Sequence, residues 1–523
     1  MAHAAGLDLS WGPRDPTKLT ILDMVGFGCA FLDYDGDGKL DILLVAKDHL
    51  ELYRNKGDAT FENVTDKAFP NAPRKPYLMG CSVCDYDADG KPDLFVSGYG
   101  RSILYHNEGN GTFRDVTAGS GLEARGPDDW TTSAAWADLD GDGKPDLYVC
   151  RYVIFNASTQ QFCSTRGLDG STVLQACGPG SYASEHGSLY HNEGNGKFRD
   201  ITQEAGLADT HGNGLGCMFC DFDNSGKPGL FIANDDKPQD LFINLGHGRF
   251  KNVGIESGTA YASDGKTTAG MGIDWGDYDN DGKFDLLVAN FSGHPKCLFH
   301  NQGKHIFADN TASSGIYGSS FKVLTFGSNF VDLDNDGLLD ITLFNGHVWP
   351  LVERTDATTT YYESGLLFHN DGRGRFTDIS AQAGPDFTQK IVGRGVAVGD
   401  YDGDGRLDLL VVNAEGAPLL LHNEGPRRHF LSLRCFGPNG KSDALGARVT
   451  LKAGKLSQIR EVRAAGSYLS TDAPDLHFGL GDSQQADEIH IRWPDGKRSA
   501  FPAVAADHWY TVRETDTALH LLR

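Results

Sequence analysis

Residues 33–41 read DYDGDGKLD, and related phrases return along the whole chain of 523 residues. The other copies are DYDADGKPD at 85–93, DLDGDGKPD at 138–146, DFDNSGKPG at 221–229, DYDNDGKFD at 277–285, DLDNDGLLD at 332–340 and DYDGDGRLD at 400–408. A single acidic loop of this kind is common in proteins. Seven copies in register predict a protein built from structural repeats.

The spacing of the aspartates suits calcium, which takes six to eight oxygen ligands at about 2.3–2.6 Å. In the first copy the predicted ligands, four carboxylates and one backbone carbonyl, belong to Asp33, Asp35, Asp37, Lys39 and Asp41. Gly38 allows the positive φ that turns the chain around the ion. The apolar run LDILLV follows the loop instead of an amphipathic helix, so we predict a calcium loop on a β-hairpin, not an EF-hand. A solvated acidic turn without metal is the alternative.

Five further copies keep the same ligand pattern, which predicts about six calcium sites. The equivalent ligands are Asp85, Asp87, Asp89, Lys91, Asp93; Asp138, Asp140, Asp142, Lys144, Asp146; Asp277, Asp279, Asp281, Lys283, Asp285; Asp332, Asp334, Asp336, Leu338, Asp340; and Asp400, Asp402, Asp404, Arg406, Asp408. The fourth copy departs from the pattern, because Ser225 and Gly229 replace two aspartates. We expect that loop to bind calcium weakly or not at all.

A second phrase follows each loop and reads as an apolar strand, an Asn/Gly turn and a strand that opens with Phe, as in LYHNEGNGTF at 104–113. Each unit therefore predicts four short strands without a helix. Seven such units predict an all-β fold, a seven-bladed β-propeller, with a linear solenoid as the alternative. The seventh copy, LLHNEGP at 420–426, lacks the closing Phe, so we expect N-terminal residues 3–11 to help close the ring.

The strand that enters each loop is expected to lie innermost in the ring. Four residues before each loop this strand carries a mostly small residue, which predicts a packing position: Cys29, Cys81, Ala134, Cys217, Ile273, Ser328 and Val396. Two insertions interrupt the regular spacing, between Asp146 and Tyr190 and between Asp340 and Phe368. Long loops on a rigid scaffold often carry function, and surface decoration is the alternative.

The composition limits the classes of partner. The formal net charge is −24, with 47 Lys and Arg against 71 Asp and Glu. Such a surface repels phosphate, so we expect no nucleic-acid binding. No apolar run approaches the roughly 20 residues that span a bilayer, and no N-terminal signal segment is recognisable. We therefore expect no membrane span.

The two phrases together resemble the FG-GAP/VCBS repeats of integrin-α-type propellers. The tail contains ALGARVTL, REVRAAGSYLSTDAPDLHFGLG and ADEIHIRWPDGK, and it resembles the ASPIC/UnbV module of the cartilage acidic protein and UnbV-like families. The resemblance implies a propeller at 1–426 and a small C-terminal β-domain at 427–523. It also implies a secreted or periplasmic protein, for which calcium loops that fill at millimolar concentration are suitable.

Two cysteines in the first insertion, Cys163 and Cys177, are fourteen residues apart. Their insertion has little other means of ordering, and the pair is similar to paired cysteines in the resembled family. We therefore predict a disulfide, which fits an exported protein; two free thiols are the alternative.

Polar residues near the starts of the innermost strands give one candidate ligand site. These residues are Asp129, Trp130, His211, Lys322 and Arg394. Convergence at the central channel is one interpretation, and a solvated funnel is the other. No GxSxG, HExxH or Walker A motif is present, and the catalytic residues stay unassigned.

Two functions remain open at this stage. The first is a calcium-stabilised extracytoplasmic binding or interaction protein, whose ligand is an unidentified protein, carbohydrate or small molecule. The alternative is an enzyme that uses the central channel, either a sugar lyase or isomerase or a natural-product tailoring enzyme.

Overall fold

Seven antiparallel sheets follow one another along the chain in the computed structural model, which describes residues 2–12, 15, 18–72 and 76–522. Sheets 1 to 4 comprise, in order, Cys29–Leu32, Asp41–Val45, Leu50–Asn55, Phe61–Asn63; Tyr77–Cys84, Asp93–Tyr99, Ile103–Asn107, Phe113–Asp115; Thr131–Ala137, Asp146–Arg151, Ser188–Gly194, Lys197–Asp200; and Gly214–Cys220, Gly229–Lys237, Asp240–Gly246, Arg249–Asn252. Sheets 5 to 7 comprise Ile273–Gly276, Asp285–Val288, Cys297–Asn301, Phe307–Asp309; Thr325–Val331, Asp340–Asn345, Leu366–Asn370, Phe376–Asp378; and Gly393–Gly399, Asp408–Asn413, Leu419–Leu421.

Each sheet repeats one pattern of connections. The acidic loop joins the first strand to the second, and the Asn/Gly turn joins the third to the fourth where a fourth is present. Both turns therefore lie at the same end of the strands. The side of the molecule that carries these turns is called the loop face. The connections between second and third strands lie on the opposite face. The result is the expected all-β class with a propeller-like arrangement.

The helices among the described residues are single turns. They are Ile21–Met24, Thr65–Ala68, Gly254–Ser257, Thr311–Ser314, Tyr317–Ser320 and Pro385–Thr388, with 3₁₀ turns at Ala157–Thr159, Pro179–Ser181, Val352–Arg354 and Ser380–Gln382. Within the described part of the chain, none has the length and apolar character that a membrane-crossing helix requires.

The apolar side chains of each sheet pack against the next sheet. The first strands of sheets 1 and 7 are in contact, and residues of both sheets share one buried cluster. The N-terminal segment joins this cluster, since Leu7 and Trp11 are buried in it. The backbone N–H of Trp11 also donates to the carbonyl of Gly416 at 3.0 Å. The N-terminal residues thus contact both sheet 1 and sheet 7, although residues 2–12 form no strand.

The tail forms β-sheets of its own. One sheet has the order Leu476–Gly481, His429–Phe436, His508–Arg513, His520–Leu521; a second has the order Leu456–Glu461, Arg448–Ala453, Glu488–Arg492, Arg498–Phe501; a short pair joins Gln485–Ala486 to Val504–Ala505. Sheet 4 gains a short strand at Thr268–Ala269, and the insertion of sheet 3 forms a hairpin of Phe162–Arg166 and Thr172–Ala176. The tail lies on the loop face, where Arg448 donates to the carbonyl of Gly282 in the fifth loop.

Candidate metal sites and central channel

The acidic loops fold around their own carboxylates. In the first loop, Asp33 accepts hydrogen bonds from the backbone N–H groups of Asp37 and Gly38, both at 3.0 Å. At the other end, Asp41 accepts the N–H groups of Tyr34 at 3.1 Å and Asn55 at 2.8 Å. The side chains are therefore held in place by the hairpin before any ion binds.

The same carboxylates lie in surroundings that oppose their negative charge. Burial, together with repulsion from Asp35 and Asp33, raises the pKa of Asp41 to about 8. Burial likewise raises the pKa of Asp93, Asp146 and Asp277 to about 7 and that of Asp332 to about 8. In the first loop, Asp35 Oδ1 is buried and has no hydrogen-bond partner. This set of hard oxygen donors is compatible with calcium.

Histidines from the third strands stand beside the acidic loops, and the sequence interpretation missed them. Asp87, Asp93 and His106 offer ligand atoms within 4.8 Å of one another, and comparable groups include His300, His369 and His422. His300 Nε2 lies 2.9 Å from Asp279, and His369 Nδ1 lies 3.1 Å from Asp340. Each imidazole orients a loop carboxylate. The signal was present in the sequence, because the second phrase reads His-Asn in these repeats.

An arginine of the tail contacts the fourth loop. Arg492 of the tail donates to the carboxylate of Asp221, which is 2% exposed. Asp223 pairs with His305 Nε2 at 2.9 Å, and Ser225 donates to Asp221. A guanidinium therefore lies beside the carboxylate that opens this loop.

A segment of the tail packs between several of the sheets. Residues 464–473, hereafter the plug, run along the first strands of the sheets. The N–H of Cys81 donates to the carbonyl of Leu469 at 3.0 Å, and the N–H of Thr471 donates to the carbonyl of Cys29 at 3.0 Å. Ser328 N–H donates to Ser467 Oγ at 2.7 Å. The plug thereby satisfies backbone groups on the free inner edges of sheets 1, 2 and 6.

Glycines on the inner strands make room for the plug. A Cβ on Gly28 would lie 1.7 Å from the carbonyl oxygen of Leu469, and a Cβ on Gly80 would lie 2.9 Å from the same oxygen. On sheet 7, a Cβ on Gly395 would lie 2.4 Å from Ser470 Oγ. Backbone approaches this close exclude any side chain at these positions.

The two insertions meet on the face opposite the loops. Trp349 Nε1, from the sheet 6 insertion, donates to the carbonyl of Ala176 in the sheet 3 insertion at 3.2 Å. The N–H of Leu168 donates to the carbonyl of Arg354 at 2.8 Å. Cys163 and Cys177 form a disulfide within the sheet 3 insertion, which confirms the predicted pair. The insertions form a continuous strap over this end of the channel.

A cavity of about 350 Å³ lies under the strap. Its walls are mainly apolar and include Met24, Tyr152, Met271, Phe291 and Trp349. Asp235, Asp236 and His294 also line the cavity.

The five residues predicted for a ligand site each have a separate environment. Asp129 pairs with buried Arg151 at 2.6 Å, and His211 pairs with Asp240 at 2.6 Å. Trp130 is buried in the apolar cluster around the plug, where its Nε1–H points at the sulfur of Met79. The buried Arg394 donates to backbone carbonyls, including that of Met24, and Lys322 is exposed. None of the five lines the cavity under the strap.

Two family comparisons agree with this geometry. The FG-GAP-like repeat family matches residues 33–96, 85–149, 221–288, 277–343 and 354–411, and the ASPIC and UnbV family matches residues 437–519. The chain belongs to the FG-GAP-like repeat family and carries an ASPIC and UnbV domain.

Relatives of this FG-GAP repeat protein cover most of its length. Cartilage acidic protein 1 from Homo sapiens is 25% identical over 514 residues, which is 92% of this chain and 70% of that protein. The same protein from Mus musculus is 25% identical over 531 residues, covering 96% and 74%. Among solved structures, the BP39L lectin from Burkholderia pseudomallei gives a TM-score of 0.47 at 10% identity, over 77% of this chain and 98% of that chain.

Proposed function

We propose that this FG-GAP repeat protein is an extracytoplasmic interaction protein, a closed seven-bladed propeller stabilised by about six calcium ions. One observation carries the proposal. In six loops four aspartates converge in the same register, and in the fourth loop, where two are replaced, Arg492 and His305 pair with the remaining carboxylates. Basic side chains also pair with carboxylates of the six complete loops, as Arg54 does with Asp35 and Lys91 with Asp89, but each of those loops keeps four aspartates.

In the six complete loops the four carboxylates outnumber the basic side chains that pair with them, and calcium supplies the remaining positive charge. Divalent ions at six loops offset about half of the net charge of −24. Burial and mutual repulsion both disfavour the ionised carboxylates, and a bound cation reverses that preference. Contact between the first strands of sheets 1 and 7 supports closure of the ring. The bound ions then stabilise the acidic turns between the first and second strands of the individual sheets.

Several features support a location outside the cytoplasm. The sheet 3 insertion contains a disulfide, and disulfides persist mainly in oxidising compartments. The remaining cysteines are buried, so that they are protected from oxidation and from exchange. Calcium loops of moderate affinity fill at the millimolar concentrations found outside cells. We therefore infer a secreted or periplasmic protein.

An interaction role is favoured over catalysis in the channel. The plug fills the loop side of the channel, and the polar residues Asp129, His211 and Arg394 are engaged by partners of their own. An enzyme that works in the channel, such as a sugar lyase or isomerase or a natural-product tailoring enzyme, needs reactive groups that face an open space, and these three residues do not line the cavity under the strap. We also propose that 1–426 and 427–523 form two domains that are joined through the plug.

Metal analysis of the purified chain tests the calcium assignment. After dialysis against buffered calcium, mass spectrometry of the metal content should find about six calcium ions per chain and no stoichiometric transition metal. Zero or one ion per chain would refute the assignment. Fractionation of the source cells, with antibody detection, should place the protein in the secreted or periplasmic fraction. Confinement to the cytosolic fraction would contradict the proposed location.

A further inference from the structure

The cavity under the strap is built from parts that the sequence leaves far apart. Its roof comes from Gly178–Ser181 of the sheet 3 insertion and from Trp349 of the sheet 6 insertion. Its inner wall contains Leu215 and Phe326, which belong to the same apolar cluster as Leu469 of the plug. The strap therefore covers a space of about 350 Å³, and the wall below it packs in the same apolar cluster as the plug. A volume of this size suits a small molecule.

The charges that line this space have one sign. Asp235 and Asp236 line it, and neither Lys nor Arg is among the described residues of its wall. The hydroxyl of Tyr152 donates a hydrogen bond to Asp235 Oδ2, and this bond fixes the orientation of the carboxylate. A hypothetical Cβ on Gly180 would lie 3.9 Å from Asp236 Oδ2, so this carboxylate is next to the roof. Anionic ligands are disfavoured by this lining.

Hydrogen bonds hold the backbone around the two carboxylates in place. Asp235 pairs with Ala269 in the additional strand of sheet 4, and the N–H of Gly270 donates to the carbonyl of Asn234 at 3.0 Å. Beside the aromatic residues of the wall, the buried side-chain nitrogen of Lys296 donates to the carbonyls of Phe291 at 3.0 Å and His294 at 3.3 Å. These bonds fix the backbone of both the acidic and the aromatic parts of the wall, so that the site is largely preformed.

The aromatic wall suits the body of a ligand with positive charge. The rings of Phe291 and Trp349 lie 5.6 Å apart in an edge-to-face arrangement. Phe291, Trp349 and Tyr152 line the cavity together with methionines. Aromatic faces attract cations, and methionine accommodates apolar groups of varied shape.

We propose that the cavity under the strap binds a small organic cation, an ammonium group on an apolar body, with the charge at Asp235 and Asp236. The apolar body lies against Phe291, Trp349 and Met271. Burial and the neighbouring charge of Asp236 raise the pKa of Asp235 to about 7, and a bound cation favours its ionised form. The site is on the face opposite the calcium loops, so this inference goes beyond the proposed function and does not depend on it.

Three probes of similar shape test the charge preference. Phenethylammonium, 2-phenylethanol and phenylacetate are titrated into the full chain, with saturating calcium and physiological salt, by calorimetry or ligand-observed NMR. We expect phenethylammonium to bind about tenfold or more tightly than the neutral alcohol, and phenylacetate not to bind. Equal binding of the three probes, or no binding of the cation, overturns the proposal.

Single substitutions locate the site. Asp235→Asn keeps an acceptor for Tyr152, and we expect it to weaken phenethylammonium binding about tenfold. Asp264→Asn is the matched control, because Asp264 is on the same face and bonds only within its own turn, to Lys266. We expect no change in binding for the control. Equal losses for both variants would indicate general attraction to the acidic surface and overturn the site.

A second variant tests the site in case Asp235→Asn does not fold. Asp236 is more exposed than Asp235, and Asp236→Asn is expected to weaken binding about threefold or more with an unchanged melting temperature. Retention of full affinity in Asp236→Asn, together with a folded Asp235→Asn that also binds fully, contradicts the proposal. Calcium content is measured on the same samples, so that a failure of the calcium assignment is distinguished from a failure of this site.

Discussion

The carbonyl oxygen of Leu469, in the C-terminal module, accepts a hydrogen bond at 3.0 Å from the backbone N–H of Cys81, on the innermost strand of sheet 2. Cys81 occupies the position four residues before the acidic loop. At the same position, Cys29 N–H donates to Ser470 Oγ and Ser328 N–H donates to Ser467 Oγ. The C-terminal module is therefore bound to the ring through repeated, equivalent contacts.

Removing calcium should lower the melting temperature strongly. When the free calcium concentration is one hundred times the dissociation constant of a site, binding at that site stabilises the folded chain by about 2.7 kcal/mol. About six sites act together. We expect EDTA to lower the melting temperature by about 10 °C or more, measured by calorimetry. The control for ionic strength is a sample in which magnesium replaces calcium at the same concentration. A melting curve that is indifferent to EDTA contradicts structural calcium.

A matched pair of substitutions tests which loops bind metal. Asp279 and Asp223 hold the same loop position, and each lies 2.9 Å from a histidine, His300 or His305. We expect Asp279→Asn to remove about one calcium ion per chain and to reduce the stabilisation by calcium. Asp223→Asn should leave the calcium content unchanged. Identical metal loss in the two variants would remove the distinction between the fourth loop and the others.

Truncation of the plug should destabilise the whole molecule. Leu469 is 2% exposed, and its conversion to Ala leaves a cavity among packed inner strands. We expect Leu469→Ala to lower the free energy of unfolding by about 2–5 kcal/mol, measured by urea denaturation in saturating calcium. The control is Leu174→Ala, because Leu174 is 59% exposed on the sheet 3 hairpin, and its expected effect is within about 0.5 kcal/mol.

The plug variant also tests the coupling of the domains. Because the plug contacts several sheets, the ring and the C-terminal module should unfold in one transition in the native chain. Two separate transitions in the native chain, with Leu469→Ala affecting only one of them, would show that the modules are independent.

A buried histidine should make stability depend on acid pH. Burial, aided by the Arg394 guanidinium, lowers the pKa of His347 to about 3, against about 6.5 when unfolded. Its contribution is fully present above pH 6.5 and is lost as the pH falls from 6.5 towards 3, by up to about 1.4 kcal/mol per pH unit. We expect His347→Gln to show a flatter decline of the free energy of unfolding between pH 6 and 4, in saturating calcium.

Urea denaturation at several pH values provides that measurement. Ser292→Ala is the control, since it removes a weak contact to the same ring at 3.4 Å without removing the titrating group. It should retain the slope of the native chain. Parallel pH profiles for the native chain and His347→Gln would show that this histidine does not take up a proton on unfolding.

Much of the fold was predictable because its signals are local. Each acidic loop, each Asn/Gly turn and each strand is encoded within about ten consecutive residues, and seven copies reinforce one another. The Cys163–Cys177 disulfide joins two positions of one hairpin, so that sequence proximity was a useful guide. By contrast, Trp130 and Arg394 were predicted as ligand residues from their places on the strands. Their burial depends on packing against residues from distant parts of the chain.

The repeat phrase by itself determined the all-β class and the positions of the carboxylate loops, because these properties follow from residues that are neighbours in the chain. The tertiary structure alone decided that Leu469 reaches Cys81, that Arg492 reaches Asp221, and that the two insertions meet above Asp235. Such contacts join residues separated by up to several hundred positions. They arise only when the sheets are arranged around the plug, and no short stretch of sequence records that arrangement.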